Sequence, residues 1–202
     1  MLTYSEIKEI SRAGKKFKVK VLRKPRYVDE TKCIGCGICA QNCPIEIPNE
    51  FDERLGLRKA IYVPFPQAVP LIYTIDKDNC IECGLCEKVC GVKAVNHNQE
   101  PEEVELEVGA IIVATGYNLF DSRKKEEYGY GIYENVITGL ELERLLSASG
   151  PTGGHVLRPS DGKIPKRVAF LQCVGSRDER VGIQYCSRVC CMYATKEAEL
   201  IK

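Results

Sequence analysis

Eight cysteines in two short runs constrain this chain more than any other feature. They read Cys33-x2-Cys36-x2-Cys39-x3-Cys43-Pro44 and, 47 residues later, Cys80-x2-Cys83-x2-Cys86-x3-Cys90. At the same offset Asp29 maps to Asp76 and Gly37 to Gly84. A repeat of this kind indicates duplication of one ligand-bearing unit. Three cysteines at regular spacing wrap a tight loop around one face of a cube and offer three thiolates to three metal atoms. The fourth follows after a further turn and points away, toward the other run.

This is the bacterial-ferredoxin spacing for two [4Fe–4S] clusters, in which the fourth cysteine serves the other cluster. The expected ligand sets are therefore crossed: Cys33, Cys36 and Cys39 with Cys90, and Cys80, Cys83 and Cys86 with Cys43. Gly35, Gly37 and Gly84 let the backbone pass close to a cluster and aim N–H groups at sulfur. Such hydrogen bonds help set a reduction potential. A zinc site would use pairs of cysteines rather than regular triplets. One departure stands out: Gly91 follows the fourth cysteine of the second run, where a proline is usual. The ligand remains, but its turn is less rigid.

Composition narrows the alternatives. The 29 Lys and Arg balance 28 Asp and Glu, so neither a nucleic-acid-binding surface nor an acidic solvating tail is indicated. The N-terminal MLTYSEIKEI lacks the basic start and apolar run of a signal peptide. The apolar stretch Ala110–Ala114 is far short of the ~18–20 residues a membrane span needs, so no span is expected. A cytoplasmic location is expected, where reducing conditions make structural disulfides improbable. Twelve cysteines in such a compartment ask for a metal or redox explanation.

The chain divides into three expected parts: 1–28, 29–97 and 98–202. In the first, Phe17, Val19 and Val21 alternate with Lys16, Lys18 and Lys20, the two-residue period of a half-buried strand. Ala13-Gly14 suits the turn of a hairpin whose first strand holds Ile7 and Ile10, although their three-residue spacing does not fit a regular strand. Between the cysteine runs, Pro64, Pro66 and Pro70 disfavour a helix and suggest an extended excursion laid over the surface. In the third part Val104, Leu106 and Val108 alternate with glutamates as a strand with one wet face. Ala110–Ala114 and Val168–Leu171 are short apolar runs of the kind that form strands buried on both faces. Thr138-Gly139-Leu140-Glu141 is a capping box, with Ile137 and Leu142 placed to form a staple. Leu142, Leu145 and Leu146 stripe the helix it opens. After Cys186 the pattern turns helical and runs to Lys202 without a glycine cap, which reads as a truncation.

Four more cysteines, Cys173, Cys186, Cys190 and Cys191, lie outside the repeat. On a helix Cys186 and Cys190 would share one face, with Cys173 arriving from a strand end. Spacing alone leaves three readings: a third cluster, a redox dithiol or disulfide, or buried inert thiols. Ala114-Thr115-Gly116 ends an apolar run in a glycine turn, which is either structural or the wall of a dinucleotide site. No G-x-G-x-x-G occurs for a pyrophosphate. His97 and His155 read as surface histidines, and Ser176 lacks the second glycine of a nucleophile elbow. Arg123-Lys124-Lys125-Glu126-Glu127 reads as a solvated loop.

Longer stretches resemble one family. They are Lys24–Asp29; Pro64–Pro70; Gly109–Tyr117 with its Ala-Thr-Gly turn; Leu145–His155; Gln172–Asp178; and Tyr185–Ala194 with its Cys-Cys pair. Together these are similar to the middle of the flavin-containing A subunit of heterodisulfide reductases, from methanogens and from bacteria with related complexes. The resemblance implies a mixed α+β and α/β fold: a two-cluster bacterial-ferredoxin-like domain inserted in part of a thioredoxin-reductase-like FAD domain. It implies a third [4Fe–4S] cluster on Cys173, Cys186, Cys190 and Cys191, and part of the FAD wall at Ala114, Thr115 and Gly116. It also implies an oxidoreductase subunit that passes electrons between FAD and clusters toward partners: B- and C-type subunits, and a hydrogenase or other electron-donor subunit. The family's glycine-rich FAD fingerprint would lie upstream of Met1. The subunit that cleaves the heterodisulfide is a different polypeptide in that family. The competing expectation is a stand-alone ferredoxin-type relay module without flavin.

Overall fold

The computed structural model describes residues 1–202. In chain order the regular elements are β1 (Ser5–Ala13), β2 (Lys16–Arg23), α1 (Ile38–Gln41), β3 (Glu46–Pro48), β4 (Leu57–Lys59), β5 (Ile61–Tyr62), β6 (Thr74–Ile75), α2 (Leu85–Lys88), β7 (Glu102–Val108), α3 (Gly139–Leu146) and α4 (Cys190–Ile201). The chain forms two compact units. One comprises residues 1–47 and 58–115, the other residues 48–57 and 116–202. This division cuts across the three consecutive parts read from sequence, because β7 joins the N-terminal hairpin in one sheet.

In the first unit β1, β2 and β7 form a three-stranded antiparallel sheet with β2 central. Gly14 takes φ 62 in the two-residue turn between β1 and β2. Val19 pairs with Ile10 and Leu106, and Val21 with Ile7 and Val104, so one face is apolar. The odd spacing of Ile7 and Ile10 has a simple cause: the register shifts between Ile7 and Glu9. The extra residue of such a bulge returns both isoleucines to the valine face. The opposite face carries ion pairs, among them Lys16–Glu107 (2.5 Å) and Lys18–Glu105 (3.1 Å).

The repeat is structural as well as sequential. α1 and α2 are single turns 47 residues apart, each entered through a left-handed glycine, Gly37 (φ 81) and Gly84 (φ 70). Their shared core contains Val28, Ile61, Ile72, Ile75, Cys86 and Ala94, with Tyr27, Tyr73 and five further cysteines packed around it. The ends of the repeat are zipped together by Asp29 N to Ala94 O (2.7 Å) and Asn96 N to Tyr27 O (2.9 Å). The segment between the runs is not only a surface excursion. Its proline stretch is irregular and largely exposed, but β5 pairs with β6 and buries Ile61 and Ile75 to 2% and 1% exposure. Alternating apolar residues at its two ends outweigh the prolines in the middle.

Two expected strands do not form. Residues 110–114 and 168–171 have no strand structure, and Ile112 and Val113 are 91% and 79% exposed. A strand buried on both faces needs hydrogen-bonding neighbours and cover on both sides. Neither segment has a partner strand in this chain.

In the second unit α3 opens with the expected capping box: Thr138 Oγ1 accepts from Glu141 N (3.2 Å), and Thr138 N donates to the Glu141 carboxylate (2.5 Å). Leu142 and Leu145 are buried, and α3 packs on α4. Arg144 holds Asp52 of the 48–57 segment (2.8 Å) and stacks over Phe51. No helix is long and apolar enough to cross a membrane.

Candidate iron–sulfur centres

The second cysteine run builds its site from four thiols on two segments, with Cys86 carried by α2. Cys80, Cys83 and Cys86 line a cavity together with Cys43, the far cysteine of the first run. The remaining walls are apolar apart from His97, among them Ile45, Ile61, Ile75, Ile81 and Leu85. No acid, lysine or arginine lines it. A soft thiolate-lined pocket with a dry shell suits an iron–sulfur cubane, whose properties depend on exclusion of water. No three potential ligands converge as a lone ion needs. A cubane instead wants four thiolates set around a volume, as these are.

Backbone and burial shape the thiols further. Glu82 N donates to Cys80 Sγ (3.4 Å) and Ala94 N to Cys90 Sγ (3.2 Å). Glu82 holds φ 51 where the first run has Gly35 at φ 69, so the second loop keeps the same bend with a non-glycine. In the first run Cys33 and Cys39 share the core with Cys90. Burial pushes the Cys39 thiol up to about 12, with the Cys33 and Cys36 charges adding to the rise. Cys86 is raised for the same first reason, with Cys80, Cys83 and Cys43 as its charged neighbours. Apolar surroundings disfavour bare thiolates, and a metal that replaces the proton relieves that cost.

The third set is assembled by a folded-back loop. Ser176 Oγ donates to Tyr185 O (3.1 Å) and accepts from Ser187 N (3.1 Å), and Asp178 pairs with Ile183. Arg177 N donates to Tyr185 O (3.0 Å), so the closure sets Cys186 beside the segment that follows Cys173. The Cys191 thiol is raised, first by its neighbour Cys190 and further by Cys173 and Cys186. Arg188 N donates to Cys186 Sγ (3.3 Å), and Ser187 Oγ donates to Cys190 Sγ (3.4 Å). That hydroxyl is the leading cause of the lowered Cys190 pKa. Gly175 is required here: at φ 69 its missing Cβ leaves room for the Phe120 ring. All twelve cysteines are free thiols.

A 4Fe-4S dicluster domain family matches residues 32–95. The chain therefore carries a two-cluster [4Fe–4S] domain. Over all of its 202 residues it is 64% identical to the A subunit of the H(2):CoB-CoM heterodisulfide,ferredoxin reductase of Methanothermobacter marburgensis. It is 66% identical to the second iron-sulfur A subunit of the CoB–CoM heterodisulfide reductase of Methanopyrus kandleri, and 63% identical to the iron-sulfur A subunit of the Methanocaldococcus jannaschii enzyme. The chain belongs to the A-subunit family of heterodisulfide reductases. It spans 31% of the length of each of these three relatives.

Three expectations for this chain change with the structure. Cys186 is not on a helix with Cys190: α4 begins at Cys190, and Arg188 takes φ 66 just before it. The loop therefore delivers Cys186 from outside the helix. Lys125 is not part of a solvated loop but 4% exposed, paired with Asp178 (2.7 Å) and Glu127 (2.8 Å). His97 is not a simple surface histidine, since it lines the cysteine cavity with Nε2 3.7 Å from Cys86 Sγ. Its only sequence signal was its place seven residues after the last cysteine of the run. Ser176 acts as a staple for the Cys186 loop, while His155 and residues 114–116 are exposed.

Proposed function

We propose that this chain relays electrons between FAD and [4Fe–4S] clusters toward partner subunits, as part of a heterodisulfide-reductase-type complex. The observation that carries the proposal is the cavity where Cys43 meets Cys80, Cys83 and Cys86, the crossed grouping that the ferredoxin spacing requires. Cys33, Cys36 and Cys39 with Cys90 hold the other cluster of the pair. The loop closed by Ser176, which leads from Cys173 through Cys186 to Cys190 and Cys191 at the start of α4, supports a third cluster on those four thiols.

When bound, the clusters supply a one-electron redox change and the flavin supplies exchange between electron pairs and single electrons. The chain's own work is to hold and insulate. Its thiolates ligate, the N–H groups of Glu82, Ala94 and Arg188 polarise sulfur, and Ile61 and Ile75 keep water from the cavity. Exposed Ile112 and Val113, running into Ala114-Thr115-Gly116, support a sheet-forming role for this segment as part of an FAD wall. On that reading 29–97 is a ferredoxin-like insertion between pieces of a thioredoxin-reductase-like domain, 1–28 and 98–202. Partners of the B and C type, with a hydrogenase or other donor subunit, follow from the same family reading, as does a cytoplasmic setting.

Anaerobic reconstitution with iron and sulfide tests the proposal. Three clusters give about twelve irons per chain and two give about eight. Twelve are expected; eight would remove the third cluster from the proposal. Flavin absorption bands are expected in the protein carrying the complete flanking domain, and their absence there would leave only a ferredoxin-type relay.

A further inference from the structure

The geometry points to His97 as a positioning residue that hydrogen-bonds the Cys86 thiolate and raises the reduction potential of one cluster of the pair, leaving the other unchanged. The inference rests on the proposed ligand set Cys43, Cys80, Cys83 and Cys86. His97 Nε2 lies 3.7 Å from Cys86 Sγ, within reach of a hydrogen bond to sulfur. Of the side chains lining that cavity, His97 is the only one besides the cysteines that carries a polar atom. Its other ring nitrogen, Nδ1, is buried without a hydrogen-bond partner. The sulfur is thus the single polar contact that fixes how the ring is used.

The chemistry of the pair sets the direction of the bond. A ligating thiolate has no proton to give, so the imidazole presents N–H at Nε2 and keeps its lone pair at Nδ1. Cys86 is the most buried of the twelve cysteines, at 8% exposure, which makes each donor to its sulfur count for more. Reduction adds negative charge that spreads onto the thiolates, and a donor favours the more negative state. The one sulfur that His97 meets is Cys86, so the effect falls on one cluster of the pair.

The test is a redox titration of the anaerobically reconstituted chain, followed by EPR at fixed pH, with dithionite as the one-electron reductant. His97→Phe keeps a ring in the cavity and removes the donor. The equilibrium constant for reducing one cluster is expected to fall about tenfold, a downward shift of about 59 mV for a one-electron couple. The remaining clusters stay put. His97→Gln, whose amide can still donate, recovers part of the shift. Unchanged potentials in His97→Phe at full iron content would overturn the inference. Should His97→Phe fail to assemble, pulsed EPR on the reduced wild-type chain with 15N-labelled histidine decides. A histidine nitrogen coupled to one cluster supports the bond, and no coupling overturns it. Cys43→Ser tests the ligand set separately: it removes the His97-sensitive cluster if that set is right and spares it if not.

Discussion

In the repeat at 33–90 the local backbone delivers the cysteines, whereas at 173–191 contacts from distant residues deliver them. The first region uses two copies of one loop, each bent by a left-handed residue pair and closed by a single helical turn. Its core is made of its own residues, from Val28 to Val95. The second region has no repeat. Its loop is shaped by the Ser176 staple, by Lys125 reaching Asp178 across 53 positions, and by Phe120 filling the space beside Gly175. A contiguous ligand code tolerates change around it. A dispersed one depends on each of its supports.

The largest effect that sharpens this contrast is Cys43→Ser. Because Cys43 shares the cavity of the second run, the substitution should cost about four irons per chain and remove the cluster of Cys80, Cys83 and Cys86. Mössbauer and EPR spectra of the variant check this. Loss of the Cys33–Cys39 cluster instead would reverse the ligand assignment.

Next comes Lys125→Met. It removes the ammonium that Asp178 holds at 2.7 Å and leaves the carboxylate beside the Cys173–Cys186 loop. Hydrogen bonds from Arg180 and Lys125 hold the Asp178 carboxyl well below the usual range, so it stays charged. The expected result is loss of about four irons, from the third set only, with the ferredoxin-type EPR signals retained. A variant that kept all its iron would show that the loop holds its shape without this support.

A smaller effect compares the two halves of the duplication. Gly37→Ala and Gly84→Ala each place a Cβ at positive φ, a backbone cost of roughly 1–2 kcal/mol. Around Gly84 the space is open, but at Gly37 the new methyl would lie 2.9 Å from the Tyr73 hydroxyl. Gly37→Ala should therefore be the less stable variant in denaturant titrations of the reconstituted protein. Equal losses would mean that Tyr73 moves aside freely.

How much of this was legible in the residues follows the same contrast. The eight-cysteine code, the 47-residue offset, the alternating strands of β2 and β7 and the Thr138–Glu141 cap are local patterns, and local patterns survive in any context. The segments at 110–114 and 168–171 are equally apolar but form no strand, because strand formation depends on neighbours that hydropathy does not reveal. His97 and Lys125 escaped for a related reason. Each acts through a partner brought close only by folding, Cys86 for one and Asp178 for the other. Apart from the place of His97 seven residues after Cys90, nothing in the neighbouring residues marks either one.

The smallest expected effect lies on α4, the helix that bears Cys190 and Cys191. Glu197 is 2% exposed, near Tyr193 and the backbone of Gly139, with Glu143 and Lys196 as its nearest charges. Burial raises its pKa first, Glu143 raises it further, and Lys196 offsets part of the rise. A carboxyl whose folded pKa lies above its unfolded value adds stability that is fully present below the unfolded pKa, about 4.3. That contribution is lost as pH rises through the folded pKa. Glu197→Gln removes the titration while keeping the shape. Thermal unfolding should therefore show the variant more stable than the parent at pH 8, and the difference should shrink as pH falls toward 4. A difference independent of pH would mean that Glu197 reaches water or Lys196 well enough to stay charged at no cost, and that α4 does not depend on a protonated carboxyl.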